Sequence, residues 1–464
     1  MNTVALALRN LLRNRRRSLA TILAMMIGGV CILLFGGYIQ NIVYGLQTGY
    51  VRGGGHLQIQ HRDFALYGSG DPAAYSIHDY PRVIDLIRRD PVLAPMIVMV
   101  TPALSFGGIG GNFDVGASRT IIAVGVMVDD LNVMAAWNEF GFPGAPEVMP
   151  LTGSAADSAV IGTGVARVLQ LCGPLKVPDC PAPPARVEPA GADLPGDVGA
   201  LADSVQAEGG GQPKGAAEIE VLAASASGAP NVARLKVIKA VNEGVKELDD
   251  VFVAMHLPQA QRLLFGSRPP AVTAILIQLR ETGQIPAAQS RLQELLNTTF
   301  KDLPLSVRDF RALNPYYGQT INLFVAIFGF IAVLIGGIVL FTVINTMSAA
   351  VVERTVEIGT LRAIGLRRTG VRTLFITEGV LLGSFGAAAG IAAALILAAI
   401  INRSGLTWTP PGRVVPVPLH LRVWEDGRLL VATALAIVAV SVLSAWWPAR
   451  RASRLEVVEA LRHV

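Results

Sequence analysis

Residues 18–51 contain no Asp, Glu, Lys or Arg, and neither do residues 312–352. A helix of about 20 apolar residues crosses the hydrocarbon core of a bilayer, and no water is available there to satisfy an irregular backbone. Two further apolar runs follow at 374–401, with Glu378 near its start, and at 429–447. Membrane spans are therefore predicted at 19–43, 320–349, 374–401 and 429–447. Only 16% of the chain is charged, against about a quarter in soluble domains. A mixed-polarity segment, 44–318, separates the first two spans. The expected fold class is an α-helical membrane protein with four transmembrane helices in a one-plus-three order and a large α+β external domain in two lobes. A cleavable signal peptide is excluded as a reading of the first run. The run is too long, and no small-x-small site closes it.

Arginines flank the runs. Arg9, Arg13, Arg15, Arg16 and Arg17 precede the first; Arg354, Arg362, Arg367, Arg368 and Arg372 lie between the second and third; Arg450, Arg451 and Arg454 follow the fourth. By the positive-inside rule 1–18, 350–373 and 448–464 are cytoplasmic, which places 44–318 and the loop 402–428 outside and both termini inside. The net charge of +5 has no aromatic-interleaved basic face beside it, so nucleic-acid binding is excluded. Residues 3–17 read as a basic amphipathic helix with Val4, Leu8, Leu11 and Leu12 on one face, suited to the headgroup plane.

In the external segment, 91–113 is uncharged. Pro91, Pro95, Pro102 and its glycines would break a lipid-exposed helix, so it reads as strands and turns. Ile121–Val128, Leu235–Ala240 and Ala274–Leu279 read as strands. Ser158–Leu171, Leu257–Leu264 and Pro286–Leu296 read as helices. The stretch 173–216, rich in Pro, Gly, Ala and Asp, reads as a flexible insertion between the lobes. Cys172 and Cys180 in an oxidising compartment form either a disulfide or two free thiols; Cys31 sits in the first span as a small apolar side chain. His56, His61, Asp63 and His78 lack a fixed metal register and read as loop residues. No catalytic site is expected, since no G-x-S-x-G turn occurs. No G-x-x-x-x-G-K-[ST] phosphate cradle occurs either. In the spans, Gly28–Gly29 and Gly36–Gly37 share a face, and Gly379, Gly383, Gly386 and Gly390 form small-xxx-small pairs. Such faces permit close helix approach, within one subunit or at a dimer seam.

The stretch 345–390, NTMSAAVVERTVEIGTLRAIGLRRTGVRTLFITEGVLLGSFGAAAG, places a short charged helix, Glu353–Ile364, directly after the second span, with Gly365 to stop it. Glu353, Arg354, Glu357 and Arg362 supply polar contacts; Ile358, Leu361 and Ile364 supply an apolar stripe. The result is a rigid peg on the cytoplasmic side. By periodicity alone, a transmitting peg and an ordinary interfacial helix are equal readings.

This stretch resembles the signature of FtsX-like permeases, the family that includes MacB-type exporters and the lipoprotein-releasing permeases LolC and LolE. The carboxy-terminal WPARRASRLEVVEALRHV (447–464) and the amino-terminal ALRNLLRNRRRSLATILA (7–24) are similar to that family's tail and leading helix, and the one-plus-three plan matches. The resemblance implies a permease in a bacterial inner membrane with its large domain in the periplasm. It also implies that 353–364 is a coupling helix docked on a separate ABC ATPase through Glu357, Thr360, Leu361 and Arg362. Two ATPase copies, carrying the ATP and magnesium, would serve two permease chains, the second a copy or a paralogue. No cofactor is implied on this chain. In the external domain Gly55–Ile59, Ala159–Gly162 with Ala166 and Leu169, Glu247–Asp249 before Val251–Val253, and Gln259–Leu264 lean toward the LolC/LolE branch; the insertion departs from it.

The spans hold almost no ionisable residue to line a hydrophilic path. That favours an amphiphilic cargo, a lipoprotein or lipid, passed from the membrane to a periplasmic carrier. Candidate cargo-facing side chains are Met25, Met26, Phe35, Phe324, Phe328 and Ile331, though lipid-facing residues look the same. The alternatives are a MacB-like exporter of peptide or drug working with a periplasmic adaptor, and an FtsX-like transmitter that switches a cell-wall hydrolase.

Overall fold

The computed structural model describes residues 3–142, 146–178, 180, 217–409 and 416–454. The described helices of eight or more residues are α1 (Thr3–Arg13), α2 (Arg15–Gly54), α3 (Tyr80–Arg89), α4 (Val128–Ala135), α5 (Leu257–Phe265), α6 (Ile285–Thr299), α7 (Pro315–Glu353), α8 (Thr355–Ala363), α9 (Arg368–Arg403) and α10 (Gly427–Ser453). The strands are β1 (Leu57–His61), β2 (Ile97–Asn112), β3 (Ala117–Val126), β4 (Ser158–Gly162), β5 (Glu218–Ala224), β6 (Pro230–Val241), β7 (Phe252–His256), β8 (Ala274–Leu279), β9 (Leu305–Asp309), β10 (Thr407–Trp408) and β11 (Val417–Pro418). The chain divides into two units. One comprises Met1–Gly45, Tyr316–Trp408 and Val417–Val464; the other comprises Leu46–Pro315 with Thr409–Pro416.

In the first unit, four helices (α2, α7, α9 and α10) are long and apolar enough to cross a membrane, and the four predicted spans fall inside them. Small residues set their packing. A Cβ on Gly379 would lie 2.8 Å from that of Ala445, and one on Gly383 would lie 2.9 Å from that of Ser441, so these two glycines seat α10. One turn further, a Cβ on Gly386 would lie 2.6 Å from that of Met25, and Gly390 comes within reach of Gly29, so α9 also seats α2. The small-xxx-small face is thus consumed within the chain. Ser441 donates to the Gly379 carbonyl at 2.7 Å, which satisfies its hydroxyl inside the contact. The core here gathers Met25, Val339, Val343, Met347, Leu382 and Ile437. At the other end of α9, Leu421 and Val423 fold back onto Leu33, Ala394 and Ala398, and Asn402 pairs twice with the Leu421 backbone.

In the second unit the strands form one sheet in the order β3-β7-β4-β6-β5-β2-β8-β1-β9, and β3 also pairs with β2. Six strands therefore close into a ring: β2, β3, β7, β4, β6 and β5. The remaining three extend from β2, and with α3 and α6 they complete a β-α-β-β-α-β unit. Strand β2 serves both parts: it pairs with β8 from Ile97 to Ala103, with β3 from Ala103 to Asn112, and with β5 at Ile109 to Gly111. Its glycines admit this crowding. A Cβ on Gly108 would lie 2.7 Å from the Leu222 carbonyl oxygen.

Two expectations change. The insertion was expected to lie between two lobes, but β4 before it pairs with β6 after it. It therefore interrupts the ring, and residues 181–216 lie outside the described residues. Ser158–Leu171 is a strand followed by a short helix at Thr163–Val168, not one helix. Ala159, Val160 and Ile161 are fully buried between β6 and β7, and a short continuous apolar run suits a strand covered on both faces.

His56 is fully buried at the start of β1. Its Nδ1 accepts from the Leu279 amide at 3.0 Å, so Nε2 carries the proton and faces Thr282. Trp137 packs edge-on to the ring, and Gln278 beside it donates to the carbonyls of Val51 and Met134. Burial holds the His56 pKa down at about 4. Unfolding returns it to the ordinary value, so the unfolded chain binds the extra proton between pH 6.5 and 4. The stabilisation is complete above about pH 6.5 and falls by up to about 3 kcal/mol as the pH drops to 4. Thermal unfolding followed against pH should show this decline, and His56→Asn should flatten the slope above pH 5.

Candidate functional site

The peg is built where α7 ends. Helix α7 stops at Glu353, Arg354 breaks the helical path with φ −105° and ψ 14°, and α8 resumes at Thr355. Gly365, at φ +105°, ends α8. The Gly365 amide donates to the Arg362 carbonyl at 3.1 Å and the Leu366 amide to the Leu361 carbonyl at 3.0 Å, which is the Schellman pattern and explains the sharp stop.

The peg is held from inside. Ile358 is 4% exposed and packs with Val351, Val371, Phe375, Ala449 and Ala452. Arg354 is also buried, and its Nη1 meets Glu378 on α9 at 3.1 Å. The same Glu378 oxygen accepts from Asn10 of α1 at 2.7 Å, and Arg354 Nη2 donates to the Asn10 carbonyl at 3.1 Å. Arg354 and Ile358, two members of the expected coupling helix, face inward and anchor it: an uncompensated carboxylate at Glu378 would be too costly to bury. Glu353 and Glu357 face outward but are engaged, with Arg17 at 2.5 Å and Arg13 at 2.6 Å. The outward surface of α8 is formed by Val356, Thr360 and, just past it, Ile364 at 79% exposure, with Leu361 and Arg362 half-buried. A groove of about 320 Å³ lies beside it, lined by Leu6, Asn10, Leu361, Leu366 and Phe375 among others.

The other sequence candidates are placed as follows. Met25 is fully buried in the helix core on the seat that Gly386 provides, which corrects it as a cargo-facing side chain. Met26, Phe35, Phe324, Phe328 and Ile331 are half-buried. Phe35 stacks on Phe328 with centroids 6.2 Å apart, so the first and second spans meet there. A disulfide joins Cys172 and Cys180, with Cα atoms 6.3 Å apart. His56 and His61 sit at opposite ends of β1; His61 Nδ1 accepts the Asp63 amide at 3.2 Å, and His78 packs against Phe265. Of the carboxy-terminal motif, 455–464 lies outside the described residues.

Sequence reading missed the roles of Asn10, Arg13, Arg17 and Glu378. Glu378 carried a usable signal: a lone carboxylate in an apolar helix needs a partner. The partners of Arg13 and Arg17 are more than 330 positions away, and no periodicity reports such a pairing.

Residues 323–457 match the family described as FtsX-like permease C-terminal. This segment is similar to the carboxy-terminal domain of FtsX-like permeases. The macrolide export ATP-binding/permease protein MacB of Brucella abortus is 30% identical over 220 residues, covering 47% of this chain and 31% of that protein. The protein of the same name from Bdellovibrio bacteriovorus is 27% identical over 230 residues, covering 47% and 32%. An uncharacterized ABC transporter permease of Methanocaldococcus jannaschii is 24% identical over 236 residues, covering 49% and 55%. The alignments thus span about a third of the MacB proteins and about half of the archaeal one. The matched segment covers α7 from residue 323, the peg, α9 and α10; together with α2 these make four long apolar helices among the described residues, which mark the chain as a multi-pass membrane protein.

Arg354→Met should leave Glu378 without its cation and destabilise the permease by roughly 3–5 kcal/mol. Arg354→Met combined with Glu378→Gln should recover most of that loss, because no charge is then stranded. Thermal unfolding of the purified chain in detergent checks both.

Proposed function

We propose that this chain is the membrane subunit of an ABC-type machine that converts ATP hydrolysis on a partner subunit into movement of its large external unit. The observation that carries this reading is the peg: a short, sharply stopped helix, anchored from inside by Arg354 and Ile358, that presents Val356, Thr360 and Ile364 outward with Leu361 half-buried beside them. A helix so anchored is stiff enough to pass a push into α7, which is 39 residues of unbroken helix. The ATPase, with its ATP and magnesium, sits on a separate chain in two copies, and a second permease chain, identical or related, completes the assembly. The arginine excess beside the helix ends supports an inner-membrane orientation with both termini and the peg in the cytoplasm and Leu46–Pro315 in the periplasm.

The cargo in this reading is an amphiphile, a lipoprotein or lipid, taken from the membrane and passed to a periplasmic carrier as in the LolC/LolE branch. The charge economy of the helices supports it. Glu378 is already held by Arg354 and Asn10, which leaves little to line a hydrophilic path. The names of the MacB relatives favour a second reading, in which the external unit drives a periplasmic adaptor and exports a drug-like or peptide cargo. Mass spectrometry of material bound to the purified assembly separates the two, by bound lipid or lipoprotein against bound drug or peptide.

Leu361→Asp combined with Arg362→Asp should abolish capture of the ATPase while membrane insertion is kept. Co-purification checks this, and an assembly that persists with ATPase activity still coupled contradicts the peg assignment.

A further inference from the structure

Two helix breaks face each other in the first unit. Helix α1 ends at Arg13 and α2 begins at Arg15; α7 ends at Glu353 and α8 begins at Thr355. One ion pair lies on each side of these breaks, and only the Arg17 pair is bidentate. Arg17 of α2 forks onto Glu353 of α7 at 2.5 and 2.8 Å. Arg13 of α1 places a single Nη2 between both Glu357 oxygens of α8, at 2.6 and 2.7 Å. The spacing is four residues, one helical turn, on both strands of this ladder, and it runs antiparallel. The first pair therefore joins membrane helix to membrane helix, and the second joins leading helix to peg. Asn10 adds the pin between them: its side chain donates to Glu378, and its carbonyl accepts from Arg354, the residue at the break itself.

We propose that α1 and α8 work as one composite coupling element, in which Arg13 is a positioning residue that sets the angle of the peg. This rests on the reading of α8 as the coupling peg. Charge alone does not require the arrangement. Arg9, Arg15 and Arg16 would serve the headgroups equally well, yet the two arginines in register with Glu353 and Glu357 are spent on those carboxylates. At Arg17 two nitrogens meet two oxygens, which fixes orientation as well as distance; at Arg13 one nitrogen bridges both Glu357 oxygens, which fixes how closely α8 approaches α1. Both arms of Arg13–Glu357 are about half-exposed, at 53% and 52%. Such a pair adds little to global stability, so its effect falls on where α8 rests. A load applied to the peg then enters the first span through α1 as well as the second through α7.

The test is amide exchange by mass spectrometry on the full chain in lipid nanodiscs, read over 355–363. Arg13→Glu should speed exchange there about fivefold, the ceiling for one exposed pair, with exchange across α9 unchanged. Glu357→Arg should do the same, and the two reversals together should restore protection. Arg13→Lys should restore it in part, and Arg13→Gln gives the same direction if the reversed variant does not accumulate. Reversing Arg17 and Glu353 together should leave the peg unaffected. Unchanged exchange in Arg13→Glu, or failure of the double reversal to rescue, overturns the proposal. A separate arm adds the purified ATPase to the unaltered chain: no added protection over 355–363 counts against the coupling function itself, whatever the charge reversals show.

Discussion

The contact between Arg354 and Glu378 governs the end of the first unit that carries the peg. Side chains 8% and 3% exposed cannot both carry charge unless each is matched, because the cost of desolvating them rivals their attraction. Matching is achieved by convergence: Glu378 arrives on α9, Arg354 at the break between α7 and α8, and Asn10 on α1, donating to one and accepting from the other. Three segments from distant parts of the sequence therefore meet at one charge pair. The direction in which α8 leaves α7 is fixed by that meeting, and Ile358 seats the helix on Phe375 and Ala449 in the same place.

Packing above this point follows from the absence of side chains. Gly379 and Gly383 admit α10, Gly386 admits Met25, and Gly390 meets Gly29. Close approach of this kind gains dispersion contacts where no hydrophobic drive operates between helices. Helix α7 differs from the other three: it is mostly exposed, with Phe330 at 70% and Val333 at 77%. Its contacts with the bundle concentrate in its second half, at Val339, Val343 and Met347.

Much of this architecture is legible in the sequence, because membrane spans and helix stops are local signals. The four apolar runs locate the long helices, Gly365 marks the end of the peg, and Ala274–Leu279 is a strand with the predicted bounds. What escaped was non-local. Ser158–Gly162 looks helical until β6 and β7 are seen to flank it. Arg354 looks like a surface charge until Glu378 is placed beside it, and Met25 looks free to face lipid until Gly386 is found beneath it. The shared use of β2 by the ring and the β-α-β-β-α-β unit follows from pairings that cross most of the second unit, which no window of sequence contains.

The account depends on the peg and the external unit lying on opposite sides of the bilayer. Cysteine accessibility in intact cells tests this directly, in a Cys31→Ser background, with Ile364→Cys on the peg and Lys236→Cys on β6, both exposed side chains. An impermeant maleimide should label Lys236→Cys in intact cells and Ile364→Cys only after the inner membrane is opened. Labelling of both positions from the same side would contradict the account.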